Sequence, residues 1–168
     1  LTMGYVSKKI KLMVLVIGYL LISSKISAGL IAEWHLNESS GTTVSDSSSN
    51  ANTGTMYNMD AATDWVPGKI GNALDFDGVN DYVDCGNDSS LLPSGSFSLS
   101  AWIYSRGFSN KGSAYNCILA RGNPFSQGGS YGFAIDSTDT LRFVANNARA
   151  LSNINIKDRL VYAVGVYD

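Results

Sequence analysis

Residues 68–86 read GKIGNALDFDGVNDYVDCG. Leu74 and Phe76 alternate with Asp75 and Asp77, the Asp77-Gly78 pair with Asn80-Asp81 supplies turn chemistry, and Tyr82 and Val83 resume an apolar run. Period-two alternation on both sides of an Asp-Gly turn predicts a β-hairpin with Leu74 and Phe76 facing a core and the aspartates facing out. The same rhythm recurs along the chain. In Ser96 to Ser105, Phe97, Leu99, Ala101 and Ile103 alternate with serines, Trp102 and Tyr104, so the aliphatic set faces inward and Trp102 and Tyr104 face the other way. Tyr131, Phe133 and Ile135 repeat the pattern, followed after Ser137 to Asp139 by Leu141, Phe143 and Ala145, which predicts a second hairpin. Further strands are expected at 30–36, 54–57, 73–76, 82–84, 117–121 and 160–167. After Ile22 no stretch sustains a 3.6-residue apolar period, and short alternating runs between Gly, Asn and Ser clusters point to an all-β sandwich or barrel.

The first residues follow a different rule. Lys8, Lys9 and Lys11 precede an apolar run from Leu12 to Ile22 that leads through polar residues to Ala28. A basic start, roughly 7 to 15 apolar residues and a small residue at the end is the layout of a secretory signal peptide. The run is shorter than the about 20 residues a membrane-spanning helix needs. Residues 1–28 are therefore expected to be a leader, with an uncleaved N-terminal anchor as the alternative, and residues 29–168 to be one domain. That leader takes four lysines and no acid, leaving 8 basic residues against 14 acidic ones. An acidic remainder with no Lys/Arg cluster argues against nucleic acid as a partner. The last run, LVYAVGVYD, is a strand that stops at Asp168. A sandwich ending this way leaves an edge open, so the domain is expected to be incomplete at its C-terminus, with more chain downstream.

In an exported chain the two cysteines, Cys85 and Cys117, are expected to pair as a disulfide, the alternative being two buried thiols. With one histidine and no Cys-x-x-Cys spacing, a zinc site is not expected.

Several segments together carry a family likeness. The order IAEWHLNESSGTTVSDSSSNANTGTM, WVPGKIGNALDFDGVNDYVDCG, SFSLSAWIYS, CILARG and LVYAVGVYD resembles the laminin G-like, concanavalin A-like lectin/glucanase family, over residues 30–168. The resemblance implies a jelly-roll β-sandwich of two antiparallel sheets. It also implies a structural calcium ion and a secreted or cell-surface role in binding carbohydrate or extracellular protein. Calcium takes six to eight oxygen ligands. Asp46, Asn37, Asn50 and Asp77 are the candidate ligands, although Asn37 stands where such sequences often carry Asp, and Asp46 and Asp77 also suit turns held by their own carboxylates. For a sugar, the candidates are the aromatic residues Trp102, Tyr104, Tyr131 and Trp65, each weighed against packing under a loop. Some relatives of the fold hydrolyse glycans with paired carboxylates, but the only glutamates here are Glu33 and Glu38 and the usual strand motif is absent, so a non-catalytic module is expected, with a glycosidase fragment as a distant alternative.

Overall fold

The computed structural model describes residues 10–11, 29–108, 115–122 and 130–168. Its strands are β1 (Ile10–Lys11), β2 (Thr43–Val44), β3 (Gly54–Tyr57), β4 (Trp65–Pro67), β5 (Asn72–Leu74), β6 (Tyr82–Asp84), β7 (Phe97–Ser105), β8 (Tyr115–Arg121), β9 (Tyr131–Asp136), β10 (Thr140–Ala145), β11 (Ala148–Asn155) and β12 (Arg159–Tyr167). All pairings between these strands are antiparallel. Among the described residues the helical structure is a single 3-10 turn at Ser89–Leu91, capped by the Asp88 carboxylate, which accepts from the Ser90 N–H at 2.8 Å. No helix there is long and apolar enough to cross a membrane. Two compact units divide the chain, one formed within Ala28–Leu92 and one within Pro93–Asp168, the latter joined by β1. The leader expected at 1–28 lies outside the described residues except for Ile10–Lys11, which pairs with Val166 and Tyr167 of β12.

The longer unit holds a four-stranded sheet, β11-β10-β9-β8, and a three-stranded sheet, β1-β12-β7. Phe133, Phe143, Ile103, Ile156 and Ala163 form one buried cluster, with Phe97, Leu99 and Ala101 packed against it as the alternation predicts. The Phe133 and Phe143 rings lie 5.4 Å apart between centroids, and burying each such side chain contributes about 1.5–3 kcal/mol. Gly165 of β12 makes room for this core, since a Cβ there would stand 2.7 Å from carbons of the Phe143 ring. The predicted hairpin of β9 and β10 forms, with Asp139 at φ 58° in its turn. Strand β11 escapes the alternation rule because it turns small Ala148 and Ala150 toward the core side of β10 and leaves Leu151 exposed. The Asn146-Asn147 pair before it, at φ 46° and 69°, is the tight-turn chemistry that reveals it.

The shorter unit holds the sheet β2-β3-β6 and the pair β4-β5 around Val44, Met56 and Leu74, with Trp34, Leu36 and Val83 packed against them. The hairpin expected in residues 68–86 does not form. Strand β5 pairs with β4, and β6 pairs with β3, so the segment from Asp75 to Asp81 connects two different sheets. Its turn closes on side chains: Asp77 Oδ1 accepts from the Val79 and Asn80 N–H groups at 2.7 and 3.3 Å, and Asp81 Oδ2 accepts from the Asp77 N–H at 2.8 Å. Leu74 is buried as expected, but Phe76, expected in the core, is exposed. The strand expected at 30–36 reduces to one bridge, Trp34 with Asp46, because side chains take its backbone groups. The Ile31 carbonyl accepts from Ser48 Oγ and Asn50 Nδ2, and the Glu33 N–H donates to Asp46 Oδ1. Cys85 and Cys117 are both free thiols, so the expected disulfide is not formed. Cys85 is half-buried, and burial, with Asp84 and Asp46 nearby, pushes its pKa up to about 11.

Candidate functional site

Strand alternation decides which side chains of β7 and β12 leave the core. With Leu99, Ala101 and Ile103 inside, Ser98, Ser100, Trp102 and Tyr104 emerge on the opposite face. The register sets Trp102 beside Tyr162 and Tyr104 beside Leu160. All four are about half exposed: Trp102 48%, Tyr104 59%, Tyr162 55% and Leu160 46%. The Trp102 and Tyr162 rings lie 5.1 Å apart, tilted by 40°. An exposed aromatic surface of this kind can cover the apolar face of a sugar ring, while the phenol hydroxyls and the adjacent serines can hydrogen-bond its hydroxyls.

Of the four aromatic candidates, two meet here and two do not. Tyr131 is 8% exposed and belongs to the core, its ring 5.0 Å from that of Phe97, so it cannot serve as an exposed platform. Trp65 packs against the core of the shorter unit and donates its indole N–H to the Gly41 carbonyl at 2.9 Å, which makes it a packing residue. Tyr162 was not among the candidates. Its signal lay in LVYAVGVY, where Tyr162 alternates with inward Val161 and Ala163. A second exposed aromatic pair, Tyr57 and Tyr82, stacks at 5.0 Å and 13° across β3 and β6 of the shorter unit.

The four residues expected to bind calcium are engaged by the protein to different degrees. Asp46 uses both carboxylate oxygens on the protein itself. Oδ1 accepts from the N–H groups of Glu33 and Ser48, and Oδ2 from the Asn52 N–H and the Ser48 hydroxyl, all at 2.7–2.8 Å. Four donors match the four lone-pair sites of a carboxylate. Burial would raise the Asp46 pKa, but these donors outweigh it and hold the carboxyl at about 2. Asn50 donates its amide nitrogen to the Ile31 carbonyl at 2.7 Å, and Asn37 Oδ1 lies against Gly71. Asp77 is committed to its own turn. Among the described residues no three His, Cys, Asp or Glu side chains gather as a metal-holding group. Asp46 is instead the knot that ties residues 33, 48 and 52 together, the turn-forming alternative that its sequence context left open.

The family likeness read over residues 30–168 is matched over part of that span: a model of the concanavalin A-like lectin/glucanases superfamily matches residues 77–168. No curated protein and no solved structure matches the chain. The matched stretch contains β6 through β12, and therefore both the aromatic face and the longer unit's core. With antiparallel sheets and a single 3-10 turn among the described residues, and a match over more than half of its length, the chain belongs to the concanavalin A-like lectin/glucanases superfamily.

Proposed function

We propose that this chain is a non-catalytic, secreted or cell-surface binding module that takes carbohydrate on the outward face of β7 and β12. One observation carries the reading: Trp102, Tyr104 and Tyr162 stand together, about half exposed, on one face of a regular antiparallel pair. Membership of a lectin/glucanase superfamily supports a binding role. The non-catalytic part is supported by the glutamates. Glu38 Oε1 accepts from the Ser45 N–H at 2.8 Å and Glu33 Oε2 from the Ser47 hydroxyl at 3.0 Å, so both act in loop structure. Export is supported by the lysines and apolar run of residues 8–22.

A glycan array probed with the full chain tests the proposal. The expected result is retention on a defined set of glycans that Trp102→Ala and Tyr162→Ala abolish. A folded protein that retains no glycan would sink it. The second reading, an adhesion domain for extracellular protein, draws on the apolar Leu160, Val164 and Val166 of the same face. It predicts capture of a protein ligand that the same substitutions weaken.

A further inference from the structure

We infer that the outward face of β3 and β6, in the shorter unit, docks an arginine-bearing segment of another protein, the Tyr57–Tyr82 stack receiving the guanidinium plane and Asp84 its charge. Carbohydrate was assigned to a different face, that of β7 and β12, so the two readings stand or fall separately. Alternation sets up the β3–β6 face. Met56 and Val83 turn toward the shorter unit's core, which leaves Thr55 and Tyr57 of β3 and Tyr82 and Asp84 of β6 exposed on the other side. The register sets Tyr57 beside Tyr82 and Thr55 beside Asp84. The two tyrosines, 45% and 49% exposed, lie 5.0 Å apart at 13°, so each ring covers one face of the other and turns its second face away. In the order β2-β3-β6 the last strand is the outermost, and the second face of Tyr82 therefore looks out over the sheet edge. Asn58, at φ 59°, donates Nδ2 to the Asn80 carbonyl at 2.9 Å. That contact ties the chain together just past the stack and fixes the rings before any partner arrives.

Charge decides what such a face takes. Residues 28–92 carry ten Asp and Glu against one lysine, Lys69, a formal charge of −9, whereas residues 93–168 carry four acids against seven bases, or +3. The field of the shorter unit therefore draws cationic segments to it and turns away acidic ones. On the aromatic face itself, Asp84 points to the same side as Tyr82, two residues on and about 7 Å along the strand. Its Oδ1 accepts from the Gly86 N–H at 2.8 Å, and its Oδ2 has no partner among the described residues. A planar cation laid on the Tyr82 ring can reach that oxygen from the same position. Guanidinium suits both contacts, since it stacks on an aromatic face while donating hydrogen bonds in its own plane. An ammonium has no plane to stack and holds its water more tightly. An uncharged sugar gains nothing from the acids around it.

Titration calorimetry of the full chain tests this with three capped peptides of one Gly/Ser-spaced design, bearing Arg, Lys or Glu. The Arg peptide should bind, and more weakly as salt is added. The Lys peptide should bind several-fold less tightly, and the Glu peptide not at all. Tyr82→Ala should weaken the Arg peptide by about tenfold. Tyr82→Phe, which keeps the ring and guards against a folding defect, should retain most of the binding. Asp84→Asn preserves an Oδ1 acceptor for the Gly86 N–H and should weaken binding several-fold. Arg and Lys peptides of equal affinity would reveal an undirected charge effect and overturn the inference. So would an Arg affinity that neither Tyr82→Ala nor Asp84→Asn changes, or no binding of the Arg peptide by the folded protein. A neutral oligosaccharide that the protein binds and Tyr82→Ala releases would overturn it too, by giving the stack to a sugar.

Discussion

In the longer unit, strands β7 to β12, of six to nine residues, meet over a core of Phe133, Phe143 and Ile103, whereas the shorter unit works with strands of two to four residues and a core of Val44, Met56 and Leu74. What the shorter unit lacks in apolar contact it replaces with side chains that bond to backbone. Asp46 gathers four donors, and Asn52, itself buried, donates to the Ser90 hydroxyl at 3.0 Å. The indole N–H groups of Trp34 and Trp65 each hold a loop carbonyl, of Asn52 and of Gly41. One unit is therefore held mainly by burial of area, and the other by a few directed polar contacts whose loss has no neighbour to compensate it.

The largest way to break this contrast is in the longer unit's core. Phe143→Ala should cost about 3–5 kcal/mol, because the ring contacts Phe133 and Phe97 and fills the space over Gly165, and the cavity has little means of closing. A urea melt would read this as a lower midpoint, and a loss below about 1 kcal/mol would show that the core is looser than its burial implies. Asp46→Ala comes next, at about 2–3 kcal/mol for removing a charged acceptor shared by several donors. Amide hydrogen exchange should quicken at Glu33, Ser48 and Asn52 while the β7 and β12 amides keep their protection. Uniform loss of protection would mean that the knot is not local.

Acid affects both units through carboxylates held low by their donors, most strongly Asp46 in one and Asp136 in the other, with Glu38, Asp77 and Asp88 also lowered in the shorter unit. Burial would raise the pKa of Asp136, but the N–H and hydroxyl groups of Thr138 and Thr140 hold it at about 2, as their counterparts hold Asp46 at about 2. Each folded value lies below the ordinary 3.8, so each carboxylate adds stability that is fully present above pH 3.8 and disappears as pH falls toward 2. Thermal melts should hold steady above that window and drop within it. Asp46→Asn should shrink the drop. A fall already complete at pH 5 would point to other groups.

Chelator should have a smaller effect still. With the Asp46 oxygens filled by protein donors, excess EDTA should leave the melting temperature within error, and added calcium should not raise it. A calcium-dependent rise would show that an ion displaces these donors or is held by other oxygens. The smallest effect concerns the thiols. Without reductant, the protein should titrate two thiols, and Cys85 should react with alkylating agents slowly, since a pKa of about 11 leaves little thiolate at neutral pH. Absence of titratable thiol would restore the disulfide.

How much of this was legible beforehand follows the same division in part, since β3 and β6 of the shorter unit also form where they were expected, at 54–57 and 82–84. In the longer unit β7, β9, β10 and β12 were readable to within a residue or so, because long alternating strands over an apolar core repeat one physical rule many times. The outward direction of Trp102 and Tyr104 came with that rule. In the shorter unit alternation was present at 30–36 and at 74–76 but had no long ladder to enforce it, and polar side chains decided the backbone's partners instead.

The stretch 68–86 shows the boundary between the two kinds of knowledge. Its residues alone determined where the chain turns, since Asp77, Gly78, Asn80 and Asp81 close a turn by contacts only a few positions apart. Composition and alternation likewise determined the all-β class. Which strands flank that turn as partners was a tertiary matter, because pairing depends on segments far along the chain: β5 found β4, and β6 found β3. The same holds for the aromatic face. The sequence could say that Trp102 points away from the core, but only folding brought Tyr162 beside it, and only folding set the Asp46 carboxylate against the backbone N–H groups of Glu33, Ser48 and Asn52.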